Sequence, residues 1–447
     1  MRVRWHTNAA VEISSSSGTT ILCDPWVNPG AFLGSWFQWP PLPDGFGDYL
    51  LQAPFDAVYI SHLHPDHFDR AFLASVIRQR PDVPIIIGRF AHPWLKRACE
   101  ALAGGRATIL EVDPGRTLTI GDIDIRILPA DQCNPLVCGV SIPCSPESWS
   151  RGIDSVGIFT ADGQTVVNAN DALGVDLVPR LAPLIGPADL LMGHYGGASP
   201  FPQCFPNVVD KVSAARAVVE NRATMLASAA DGVSARYVMP FAGQYVLGGR
   251  LAHLNEARAT VPLDEACEIV GAKTTAEAIS VMPGGVFDLT SGSKDADYAE
   301  PAEHVLRDYV SSISSATYPY DGTTGRDLSD EELLGAVKVI IDRSPRAQLT
   351  QATSFVIGSP DQQVSIDLAQ THAAARLGDD PGYPDVTRIE MPQSLLTYLT
   401  RRAPGYTGFT TAHWNQADVG SHFVWQREGV FDLQAHMLLN FFGVQES

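Results

Sequence analysis

The stretch Tyr59-Ile-Ser-His-Leu-His-Pro-Asp-His67 sets three histidines and an aspartate within six positions, directly after a short apolar run. Imidazoles two residues apart, released from the end of a strand, converge on one ion, while Asp66 and His67 face a neighbouring ion site. Packing alone gives such a run little reason to exist, because each buried imidazole would need its own hydrogen-bonding partners. His62, His64, Asp66 and His67 are therefore candidate metal ligands, and Asp66 is also a candidate catalytic carboxylate.

Outward from this run, the first 290 or so residues alternate strand-length and helix-length segments. Val11–Ile13, Thr19–Cys23, Ala57–Ile60, Pro84–Ile87 and Ile123–Leu128 are β-branched runs bounded by turn residues. Arg70–Arg80 and Pro93–Ala103 carry helical apolar spacing without internal Gly or Pro. The second half of this region repeats the idea with Val156–Thr160, a turn at Asp162-Gly163, Thr165–Val167 and Leu190–Met192. Residues 25–47 hold Trp26, Phe32, Trp36, Phe37 and Trp39 among Pro and Gly, a packed loop that either covers a pocket, with Trp26 and Trp36 in its wall, or staples two sheets together. Residues 129–152 are a second candidate loop.

At 447 residues the chain exceeds the usual size of one core, which predicts two domains. The polar, Asp-rich segment 292–301 is the predicted boundary between a catalytic domain at 1–291 and a smaller α+β domain at 302–447. A formal charge of −19 argues against nucleic acid or anionic membrane as a standing partner. No stretch approaches the length of a spanning helix, and Met1 leads into polar residues rather than an apolar leader, so a cytoplasmic location is expected. Seven cysteines without a CxxC pair predict reduced thiols; the spacing of Cys133, Cys138 and Cys144 fits no familiar metal pattern.

At residues 62–67 the sequence resembles the metallo-β-lactamase superfamily, whose HxHxDH signature it matches without a gap. The resemblance implies an α/β fold, an αββα sandwich with one or two metals at the sheet edge. That signature is specific for fold and metal but not for a reaction, since hydrolases, oxygenases and nucleases share it. Asp24-Pro-Trp26, Val167-Asn-Ala-Asn-Asp171, Gly196-Gly-Ala-Ser199 with Phe201-Pro202, and Pro240-Phe-Ala-Gly243 further resemble the catalytic portion of the CMP-N-acetylneuraminate hydroxylase family, with a weaker echo near Gly408–His422. These iron oxygenases carry a Rieske domain for electron delivery, and no paired Cys-His signature for such a cluster stands in this sequence.

The resemblance also assigns roles. Asp171 falls at the superfamily's bridging carboxylate, with a helix N-cap as the alternative. His194 follows a strand end, where the hydroxylases carry a carboxylate; Asp171 and His194 are thus candidate metal ligands and catalytic residues. Asp24 is expected to orient His62 or His64. The superfamily's second-motif histidine is missing between 120 and 165, leaving Asp154 as a substitute, and Phe241 stands where many members place a last histidine. His413 and His422 either close over the pocket or pack in a core.

These features predict an iron-dependent oxidoreductase or monooxygenase acting on a small polar metabolite, with one or two metal ions and a separate electron-donor protein. The alternative is a zinc or manganese hydrolase of an ester, lactone, amide or phosphodiester.

Overall fold

A computed structural model of the chain describes residues 1–90, 93–129, 154–174, 177–323, 328–347, 349–401, 413–430 and 432–444. The loop at 130–152 with its three cysteines, read as a possible active-site segment, lies outside the described residues.

Side chains alternate faces along a strand, so a sheet buried on both sides feeds two cores at once. In Thr20–Cys23, Ile21 and Cys23 face inward with Val11, Ile13 and Tyr59. Leu22 faces outward with Val58, Ile60, Ile85 and Ile87, beneath the helices Phe46–Gln52, Arg70–Gln79 and Trp94–Ala103. The second sheet mirrors this: Phe159, Val166, Leu190 and Met192 meet the first sheet, while Ile158, Val167 and Leu191 meet Val219, Ala223 and Leu226 of the helix Lys211–Gly232. Among the described residues the first sheet has eight strands and the second seven, giving the αββα sandwich.

Strand direction positions the site. Thr20–Cys23, Ala57–Ile60 and Ile85–Gly88 run parallel, as do Gln164–Asn168, Leu190–His194 and Tyr237–Phe241. The loops leaving their C-terminal ends, which begin at Asp24, Ser61 and Ala169, gather on one rim.

The segment 292–301 is joined to this sandwich rather than free of it. Ser293–Lys294 pairs with Val286–Asp288 at the edge of the first sheet, and the Trp39 indole N–H donates to Glu300 at 2.7 Å. Beyond it, a five-stranded sheet runs in the order His372–Leu377, Gln363–Ala369, Thr353–Gly358, Val386–Glu390, Val424–Glu428. Its core takes in Leu33, Cys204 and Phe205 from the loops of the sandwich, so the rim and the last third of the chain are packed together. Among the described residues no helix is long and apolar enough to cross a membrane.

Candidate metal centre

The run 61–69 leaves the strand Ala57–Ile60 and turns at once into the helix Arg70–Gln79. Asp69 makes that turn possible: its carboxylate caps the helix by accepting from Phe72 N, and also accepts from Val27 N, Asn28 N and the Asn28 amide. The aromatic loop is thereby tied to the start of the same helix that ends the histidine run.

Within the run, one nitrogen of each imidazole is engaged by a partner that orients the ring. Asp24 accepts from Ser61 N (2.7 Å), Ser61 Oγ (2.7 Å) and His67 Nδ1 (3.1 Å). Since the Ser61 hydroxyl proton goes to Asp24, its oxygen accepts from His62 Nδ1 at 2.9 Å. His64 Nε2 donates to Asn415 Oδ1 at 3.1 Å. These partners fix the tautomers, and they leave His62 Nε2 and His64 Nδ1 facing each other at 2.9 Å with a lone pair on each. Two neutral acceptors so close repel unless a cation lies between them and their neighbours.

The carboxylates complete that neighbourhood. His62 Nε2 is 3.6 Å from Asp154 Oδ1 and 3.8 Å from Asp171 Oδ2, and His67 Nε2 is 3.6 Å from both Asp66 Oδ2 and Asp171 Oδ2. Ligands held at about 2.1 Å from a shared ion stand roughly 3.0–3.4 Å apart, so the observed spacing is slightly expanded from a ligated geometry. His62, His64 and Asp154 form one convergent group, and His62, His67 and Asp171 a second. His67 Nε2 and Asp66 Oδ1 are buried without a hydrogen-bond partner, as ligands to an ion would be. The residues present fit one or two metal ions.

Electrostatics agree. Burial pushes His62 well below the ordinary histidine range, with His67 and His64 adding to it; burial likewise takes His64 to about 4 and lowers His194. Neutral imidazole is the ligating form. Burial raises Asp66 to about 6. At His67 burial works downward, but Asp66 and Asp171 outweigh it and raise the ring well above the ordinary histidine range; at Asp171 burial works upward, and His67 outweighs it to keep the carboxyl far below its usual range.

The structure brings His62, His64, Asp66, His67, Asp171 and Asp154 together. His194 stands beside them rather than inside either convergent group. Its Nδ1 is 3.0 Å from the Asn170 carbonyl and 4.0 Å from Asp171 Oδ1. Asp24 orients an imidazole as expected, but a different one: it holds His67 directly and reaches His62 only through Ser61. Phe241 is buried at a strand end paired with His194. His422 packs in the core, between Tyr320 Oη (2.7 Å) and the Phe32 carbonyl (2.9 Å), while His413 caps the helix Trp414–Val419. Sequence reasoning missed Ser61, Asn8, whose amide donates to Asp66 at 3.3 Å, and Asn415. Only Ser61, adjacent to the run, carried any signal.

A cavity of about 150 Å³ opens onto the centre, lined among others by Trp36, Tyr245, Asp66, Asp171, His194 and Arg222. Trp36 stacks on Tyr245 with ring centroids 3.4 Å apart. Trp26, read as part of the wall, is instead buried behind it with Phe32, Trp36 and Leu247, and its indole N–H is satisfied by the Asn28 carbonyl at 2.7 Å. The aromatic loop both lines the cavity and staples.

Residues 19–228 match the family model described as a beta-lactamase superfamily domain. Among curated proteins, the chain is 32% identical over 266 residues to a protein of Mycobacterium tuberculosis named as a Rieske 2Fe-2S iron-sulfur protein, a match covering 57% of this chain and 46% of that one. It is 29% identical over 203 residues to the cytidine monophosphate-N-acetylneuraminic acid hydroxylase of Danio rerio, covering 44% of this chain and 30% of the relative. The chain thus spans less than half the length of these relatives. Among solved structures it is similar to CmlA, a diiron β-hydroxylase from Streptomyces venezuelae, at 17% identity over 62% of this chain and 52% of that one, with a TM-score of 0.36. A possible metal-dependent hydrolase from Veillonella parvula is matched at 17% identity over 64% of this chain and 98% of that one, with a TM-score of 0.39. Residues 19–228, the span of the beta-lactamase superfamily match, hold every histidine and aspartate of the centre.

Proposed function

We propose that the chain is a non-haem iron oxygenase acting on a small polar metabolite and supplied with electrons by a separate iron–sulfur protein. The observation that carries this is the donor set. Each convergent group consists of two histidines and one carboxylate, the combination that suits Fe(II) with positions left open for oxygen and substrate. The identity to a hydroxylase, and to a protein named for a Rieske cluster, supports the oxidative reading and the electron donor.

His62 with His64 and Asp154, or His62 with His67 and Asp171, would hold iron, with Asp66 beside the second group. Iron bound there would supply activation of dioxygen. The remaining work belongs to the chain. Asp24 keeps His67 and, through Ser61, His62 turned with their Nε2 atoms toward the centre. The Trp36–Tyr245 stack closes one wall of the cavity against water, which protects a reactive site from side reactions.

The test is turnover of the iron-loaded protein, given reductant and a panel of small N-acyl and carboxylic metabolites under isotopically labelled dioxygen. Oxygen consumption with label in the product, or a desaturated product, is expected. Undiminished anaerobic turnover with water as the only source of new oxygen would establish the zinc or manganese hydrolase alternative instead.

A further inference from the structure

Arg222 projects from the helix Lys211–Gly232 and lines the cavity that holds Asp66, Asp171 and His194. The chain carries 50 acidic residues against 31 basic ones, and several of its arginines pair with carboxylates: Arg216 with Glu220 and Glu265, Arg250 with Asp321, Arg401 with Glu332. Among the described residues Arg222 has no carboxylate partner; its one hydrogen bond is a long contact of 4.0 Å to Met225 Sδ. A second donor in the same wall is also unspent, since the Trp36 indole N–H is buried and without an acceptor. Gly196, Gly197 and Gly243 also line the cavity and contribute only backbone to it.

We propose that Arg222 binds an oxyanion group of the substrate, a carboxylate or a phosphate, and thereby orients the substrate toward the metal centre. This rests on the reading of the cavity as the active site. A guanidinium presents a planar fork that pairs bidentately with either anion, and a partly desolvated one gains more from a charged acceptor than from a neutral one. The cavity, at about 150 Å³, is roughly the size that admits one benzene-sized group. It therefore takes a compact anionic end of a molecule.

The test is calorimetric titration of the metal-loaded protein with acetate, inorganic phosphate and, as a neutral control of acetate's shape, acetamide. Wild type, Arg222→Gln and Arg222→Lys are compared, with iron content measured for each. Acetate or phosphate should bind wild type at least about tenfold more tightly than Arg222→Gln, the size of a lost charge-assisted hydrogen bond. Arg222→Lys should recover part of that difference, acetamide should not distinguish the variants, and iron content should not change. Whichever anion shows the larger difference identifies the group. Equal anion binding by wild type and Arg222→Gln would mean that metal alone holds the anion, and no preference for either anion over acetamide would mean that the cavity selects none; both overturn the proposal. Oxygen consumption by wild type is read separately, so failure of the anion site and failure of the oxygenase reading are distinguishable.

Discussion

His64 is held from two sides by parts of the chain that differ in almost every respect. Its ring is presented by the run after Ala57–Ile60, where ligands crowd together in sequence and a buried carboxylate, Asp24, anchors the local network. Its Nε2 is held by Asn415, some 350 residues later, at the start of the helix Trp414–Val419 and next to a core of a different sheet. The first side is built from charge and short contacts, the second from one neutral hydrogen bond that exists only because two cores pack together. Function concentrates in the first, but the orientation of a ligand depends on both.

The largest effect should come from His62, whose Nε2 can complete either convergent group. His62 belongs to both convergent groups, so His62→Ala should lose nearly all bound metal, whereas His64→Ala should remove metal chiefly from the group with Asp154. Elemental analysis of the two purified variants checks this, and equal retention in both would break the division of the centre into two groups. Next in size is Asp24→Asn, which leaves a similar shape but removes the charge that holds His67 and Ser61. Metal affinity should fall about 10- to 100-fold, as for other partners of ligating histidines. A competitive chelator titration measures it.

Asn415→Ala should cost least, up to about tenfold in metal affinity, because the lost hydrogen bond is neutral and water can replace it. If Asn415→Ala instead matches Asp24→Asn in the same titration, the last part of the chain is as much a builder of the site as the histidine run.

What was legible in the sequence follows the same division. The helix Arg70–Gln79 and the strands around it announce themselves through apolar spacing without internal Gly or Pro, and the histidine run declares its chemistry because its ligands are neighbours in sequence. The helix Lys211–Gly232 was not singled out. Its buried face is mostly alanine, at positions 215, 223, 227, 229 and 230, and small side chains leave a faint periodic signal. Trp26 and Trp36 look alike within an irregular loop, yet one is buried behind the cavity and the other lines it; nothing in local pattern separates them. Asn8 and Asn415 reach the centre purely through tertiary packing, and Asp24 could be expected to orient an imidazole but not to choose His67.

The most direct test of a metal centre suited to oxygen chemistry is metal analysis of wild-type protein purified without added metal, alongside His62→Ala and with an iron-sensitive spectrum recorded on each. Iron in the wild type, with its spectral signature, and almost none in His62→Ala is the predicted result; zinc alone, or the same metal content in both proteins, would contradict it.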